Sequence, residues 1–224
     1  IMGEKHIGSL IVINYKTPVG IVTERDLLSK VLAIGLFLKD EKVVDVMSYP
    51  ITGISVSAKI KEVAQAMIKH KGRLAVFDAG KLVGVITSSD LIKSLPEVPE
   101  TEVKVDDFMT KQIVLADENT SVISIAGMMG KQRIGSVIIT REGTAFGIFT
   151  ERDLLTNFLA MGRPLFTEVG PECSSPLVAI PSGMSVHKAA AVMALKHIRR
   201  LPVVKEDKFA GIITARDLVE AYAK

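Results

Sequence analysis

Apolar and polar positions alternate in a pattern that returns about every 64 residues. In its second copy, Ile60, Val63, Ala64, Met67 and Ile68 follow an i, i+3, i+4, i+7, i+8 spacing, which places them on one face of a helix. Val186, Ala189, Ala190, Met193 and Ala194 do the same in the fourth. A short apolar strand follows each helix (LAVF or LPVV), then a polar turn (DAGK or KEDK) and a second strand (KLVGVIT or KFAGIIT). Another helix opens at SSDLIKSL or ARDLVEAY. One more short strand is predicted ahead of the first helix, around Ile51–Val56 and Leu177–Ile180. The unit reads β-α-β-β-α, an α/β arrangement with a hairpin and a right-handed helical crossover.

The repeats are also visible as letters. Residues 7–35 laid on 134–162 give 16 identities in 29, and 73–95 laid on 200–222 give 9 in 23, both at an offset of 127. Thr23, Thr87, Thr150 and Thr214 are separated by 64, 63 and 64 residues, so a unit was doubled and the pair doubled again. The repeats are expected at 1–38, 43–95, 105–162 and 169–224. A linker is expected at 96–104, in and beside the proline- and glutamate-rich SLPEVPETE of 94–102. Met2, Met67, Met129 and Met193 occupy equivalent positions, so the chain is expected to open inside a helix, with the first repeat truncated at its N-terminus. Subtracting 127 from Val105 puts the equivalent start at −22, and upstream residues are expected.

Composition narrows the function. The chain has 224 residues, 48% of them hydrophobic, enough for a substantial core. A net charge of +3 gives no strong basic field for nucleic acid. The single cysteine, Cys173, excludes an internal disulfide and fits a reducing, cytoplasmic setting. No apolar run reaches the length of a membrane span. The four histidines lack H-x-x-x-H spacing, so neither a metal site nor a catalytic site is expected, and Cys173 reads as a small buried hydrophobe.

Candidate chemistry lies in the loop written four times: GIVTERD, GVITSSD, GIFTERD and GIITARD. T-x-x-D at a strand–helix junction is a helix capping box. Glu is the usual third residue, yet this chain has Asp26, Asp90, Asp153 and Asp217. A carboxylate held there can accept hydrogen bonds from a vicinal diol such as ribose, and the adjacent N–H groups and hydroxyl can meet phosphate. The candidate ligand-binding residues are therefore Thr23, Asp26, Thr87, Asp90, Thr150, Asp153, Thr214 and Asp217. Four residues after each equivalent Met stands His6, Lys71, Arg133 or His197, while Arg73 and Arg200 precede a strand and Arg199 is adjacent. These are either helix C-terminal cations or phosphate partners aimed at a neighbouring repeat's loop.

With these residues in place, the chain resembles the cystathionine beta-synthase (CBS) domain family over essentially its whole length. The resemblance implies four β-α-β-β-α repeats paired into two Bateman modules, as in stand-alone archaeal and bacterial CBS proteins and the gamma subunit of the AMP-activated protein kinase. It implies clefts between paired repeats holding an adenosyl ligand: AMP, ADP or ATP foremost, with S-adenosylmethionine or NADH as further candidates. The loop Asp would take ribose hydroxyls, Thr ribose or phosphate, and the basic residues phosphate. No cofactor is required, and the expected partners are the ligand, a regulated protein and, as in some relatives, a second copy in a homodimer. The expected role is a non-enzymatic metabolite sensor, the alternative being a scaffold for protein or nucleic-acid partners whose loops only cap helices. The second repeat departs from the pattern, with Ser88-Ser89 in its loop and one residue fewer between helix and strand, so unequal occupancy of the clefts is expected.

Overall fold

The computed structural model describes residues 1–34, 40–70, 72–94 and 102–223. Most of the expected linker, and Lys71, lie outside them. The first repeat contributes a two-stranded sheet, β1 (Ser9–Asn14) and β2 (Thr17–Thr23), followed by α1 (Glu24–Lys30). After a short helix α2 (Val43–Val46), the second contributes β3 (Gly53–Ser55), α3 (Ile60–Lys69), β4 (Arg73–Asp78), β5 (Lys81–Thr87) and α4 (Ser88–Ser94). The third has β6 (Leu115–Asp117), α5 (Val122–Gln132), β7 (Ser136–Arg141), β8 (Thr144–Thr150) and α6 (Glu151–Asp153). The fourth has β9 (Ile180–Pro181), α7 (Val186–Lys196), β10 (Arg200–Lys205), β11 (Lys208–Thr214) and α8 (Ala215–Ala223).

In each complete repeat the first strand pairs parallel to the second, and the second pairs antiparallel to the third. All four hairpins shift register at one point, between Val12 and Ile13, Val76 and Phe77, Ile139 and Thr140, and Val203 and Val204. The strand predicted near Leu177–Ile180 forms only over Ile180–Pro181. Pro202 is tolerated in the central strand because β9 first pairs at Val203.

The described residues divide into two compact units, each taking one repeat from each half of the chain. One comprises Ile1–Ile51 with Val114–Leu177, the other Thr52–Ile113 with Val178–Lys224. The first unit buries Leu28, Val122, Ile125, Met129, Phe149 and Phe158, with Met2, Val22 and Leu155 in a satellite cluster. The second buries Met67, Leu74, Leu91, Val105, Met193, Leu201, Ile213 and Leu218. Val63, Ala64, Val186, Ala189 and Ala190, expected on inward helix faces, are buried there, whereas Ile60 is exposed at the start of its helix.

Two expectations are corrected. Residues 2–6 form hydrogen-bonded turns rather than helix: the Lys5 and His6 N–H groups reach Ile1 and Gly3 O, and so short a stretch adds few bonds beyond the costly first turn. Met2 nonetheless matches its counterparts, because the carbonyls of Met2, Met67, Met129 and Met193 each accept the N–H five residues on, at 2.8–3.1 Å. In the third repeat the loop helix widens after Asp153 into a π-helical stretch, Leu154–Leu159. There the Ala160 N–H reaches back five residues to Leu155 O, and Phe158 packs edge-on against Phe149 with ring centroids 6.2 Å apart.

Candidate functional site

Each T-x-x-D loop begins with the Thr that ends a hairpin strand and directly precedes a helix. Thr23 and Thr150 have extended backbones, and their hydroxyls accept the Asp26 and Asp153 N–H groups at 3.1 and 3.4 Å. In return, one carboxylate oxygen takes two bonds from the Thr. Asp Oδ2 accepts the Thr N–H at 3.0, 2.9, 2.8 and 2.8 Å in repeats one to four. It accepts the Thr hydroxyl at 2.6, 2.7, 2.7 and 2.7 Å. This pair of hydrogen bonds to a single oxygen suits the short arm of Asp, which clamps the Thr and fixes the direction of Oδ1.

The loops differ in what meets Oδ1. In the first, Lys30 Nζ stands 2.9 Å from Asp26 Oδ1 and the Ser48 hydroxyl donates to the same atom at 3.0 Å. The residues at the position of Lys30 are Ser94, Asn157 and Ala221 in the other repeats, so this internal cation belongs to repeat one. Asp90 is exposed, and Asp153 and Asp217 are half-buried. Burial pushes the Asp217 carboxyl above the ordinary carboxylate range, against the two bonds from Thr214 that pull it down.

The candidate cations separate by position. His6, Arg133 and His197 adopt left-handed backbones (φ 52°, 55° and 55°) just after the first helix or turn of their repeats. In the second repeat Gly72 (φ 84°) holds that conformation. His6, Arg133 and His197 are exposed. Arg73 and Arg200 are the cross-strand partners of Thr87 and Thr214 in their own hairpins, while Ser9 and Ser136 face Thr23 and Thr150. The Arg199 carbonyl accepts the Ala215 N–H at 2.9 Å, tying it to the start of α8. The second compact unit thus sets an arginine directly across from each of its Thr–Asp clamps.

The two residues between Thr and Asp have a role that the sequence reading missed. Arg25 Nε bonds Glu151 Oε1 at 2.8 Å, and Arg152 Nε bonds Glu24 Oε1 at 3.2 Å. The identical Glu-Arg pairs of repeats one and three cross each other within the first unit, with both glutamates buried. Ser88-Ser89 and Ala215-Arg216 occupy these positions in the second unit, where Arg216 Nη2 donates to Ile68 O at 3.1 Å. A second missed feature is a segment that ends in Met or Cys followed by Ser or Thr: 43–48 (VVDVMS), 105–110 (VDDFMT) and 169–174 (VGPECS). Its repetition was the available signal. Cys173, in one of them, is half-buried, donates to Gly170 O at 3.3 Å, and has its thiol pKa raised by burial. Among the described residues no three His, Cys, Asp or Glu side chains group as a metal site, and no helix is long and apolar enough to cross a membrane.

The CBS domain model matches residues 1–33, 43–97, 105–160 and 168–224, and the chain belongs to this family of regulatory domains. CBS domain-containing protein YhcV of Bacillus subtilis is 32% identical over 114 residues, 51% of this chain and 81% of that protein. The uncharacterized protein MJ1225 of Methanocaldococcus jannaschii is 28% identical over 169 residues, 69% of this chain and 60% of that protein, so the chain spans less than two thirds of it. The crystal structure of MJ1225, proposed as an archaeal homolog of g-AMPK, superposes with a TM-score of 0.79 at 22% identity, covering 99% of this chain and 90% of that one. An uncharacterized conserved protein from Pyrococcus horikoshii superposes at 0.69 and 22% identity, covering 95% and 90%. These likenesses show the four-repeat CBS fold.

Proposed function

We propose that this CBS protein is a non-enzymatic sensor that binds an adenine nucleotide at its T-x-x-D loops. AMP, ADP or ATP suit the site best, with S-adenosylmethionine or NADH as alternatives. The observation that carries the reading is the Thr–Asp clamp. One carboxylate oxygen is spent on holding the loop, and the other is fixed in direction and able to accept ribose hydroxyls. The loops of repeats two and four are the principal sites, because Arg73 and Arg200 stand across from Thr87 and Thr214 and supply charge for phosphate. Burial disfavours the charge of Asp217, and carboxyls perturbed in this way concentrate at binding sites. The first loop is read as structural, since Lys30 and Ser48 already occupy Asp26 Oδ1. Occupancy reaches a protein partner only insofar as the ligand binds one conformation of the chain better than another.

The test is a thermal-shift series with each ligand on the native chain and on Asp90→Ala/Asp217→Ala. A ligand at 100 times its Kd adds about 2.7 kcal/mol to the folded state. The reading requires that gain in the native chain and its loss in the folded double variant. No shift with any of the five ligands would leave the loops as helix caps and favour the scaffold reading.

A further inference from the structure

All four loops share one backbone frame, which makes their flanking side chains comparable. In every repeat the N–H of the first helical residue bonds the carbonyl just ahead of the hairpin, at 2.9–3.3 Å. The residue after that carbonyl stands across from the clamp Thr. These two positions, with the two between Thr and Asp, flank each clamp.

Their charge divides by unit. In the second unit they carry Arg73, Arg199, Arg200 and Arg216 and no acidic residue. In the first they carry Arg25 and Arg152, each matched by a glutamate. Arg25 Nε bonds Glu151 Oε1 at 2.8 Å and Arg152 Nε bonds Glu24 Oε1 at 3.2 Å, with Glu24 4% and Glu151 7% exposed. A guanidinium neutralised by a buried carboxylate offers a phosphate little net attraction. Burial also leaves the carboxylate's repulsion of an incoming anion weakly screened by salt. The second unit presents the reverse: four guanidinium groups flanking two clamps favour a ligand that brings several negative charges.

Given adenine-nucleotide binding at the T-x-x-D loops, on which this rests, we infer that the residues flanking the clamps sort ligands by phosphate. The arginines of the second unit favour ATP over AMP. Glu24 and Glu151 are specificity residues that close the first unit to phosphate by holding Arg25 and Arg152. Glutamine at both positions keeps a side-chain oxygen for each arginine and removes the negative charge, so the two guanidinium groups become available to phosphate at the Asp153 clamp.

Isothermal titration with ATP and AMP tests this, with circular dichroism confirming that each variant is folded. The native chain binds ATP at least about tenfold more tightly than AMP. Asp90→Ala/Asp217→Ala loses the tight ATP binding. Adding Glu24→Gln/Glu151→Gln to that variant restores ATP affinity by at least about tenfold, and adding Asp153→Ala abolishes the gain. If the combined variant does not fold, Glu24→Gln/Glu151→Gln in the otherwise native chain decides, because it must bind an additional ATP per chain. Equal affinities of the native chain for AMP and ATP overturn the sorting, as do glutamine variants that gain nothing, and both leave nucleotide binding itself standing. A native chain that binds neither nucleotide overturns the sorting together with the sensor reading beneath it.

Discussion

Replacing Arg25 with Met should destabilise the first unit far more than replacing its partner Glu151 with Gln. The Arg25 side chain is 50% exposed and the Glu151 side chain 7%. Removing the arginine takes a donor from a buried carboxylate oxygen, whereas removing the glutamate charge leaves a guanidinium that water can solvate. An exposed ion pair contributes about 0.2–1 kcal/mol, and deleting one partner of a fully buried pair costs about 3–5 kcal/mol. This pair lies between those limits, so Arg25→Met is expected to cost about 2 kcal/mol, and Glu151→Gln under about 1 kcal/mol. The Arg25→Met cost corresponds to a fall in melting temperature of about 4–8 °C for a chain of this size. Urea unfolding followed by circular dichroism, with both singles and the Arg25→Met/Glu151→Gln double, gives the cycle. The double should be more stable than Arg25→Met alone. The reasoning fails if Arg25→Met is the milder single, or if the double is merely the sum of the two.

Gly147→Val should lose about 1–3 kcal/mol by overpacking against Cys173, while Gly84→Val should stay within about 0.5 kcal/mol, read as melting temperatures. Asp26→Asn weakens the contacts to Lys30 and Ser48 and should cost about 1–2 kcal/mol at pH 7. Asp217→Asn should be nearly neutral, because burial already opposes its charge, and chemical denaturation compares the two. The hydrogen bond from Arg163 holds the Glu172 carboxyl below its ordinary value of 4.5, so its contribution is present above that pH and lost as pH falls through the lower folded value. Arg163→Met should therefore flatten the acid limb of a stability-versus-pH curve. Asp217 has the opposite sign: its raised folded value gives a cost fully present above that value, which acidification relieves.

The repeat unit was legible because hairpin and helix are local, and period-2 and period-3.6 patterns encode them directly. KLVGVIT and KFAGIIT became β5 and β11 to the residue. The clamp was legible as a capping box, but its donor geometry was not, since Asp and Glu both satisfy the spacing rule. Long-range pairing was the main omission. Glu24 and Arg152 are separated by 128 residues in the chain, and nothing in GIVTERD by itself says that it faces GIFTERD. That crossing sets two identical Glu-Arg pairs against each other. The cations were read either as helix C-terminal charges or as phosphate partners, and neither reading foresaw that Arg73 and Arg200 stand across from the Thr of their own hairpins. The π-helical turn at Leu154–Leu159 has no sequence signature of its own, because its apolar residues suit an ordinary helix equally well.

Isothermal titration of the native chain with AMP, alongside Arg200→Ala and Asp217→Ala, tests the sensor most directly. The account requires saturable heat in the native chain, weaker binding without Arg200, and near-complete loss without Asp217. Equal binding by all three folded proteins would contradict the assignment of the fourth loop, and saturable heat that survives loss of both Asp90 and Asp217 would contradict the site altogether.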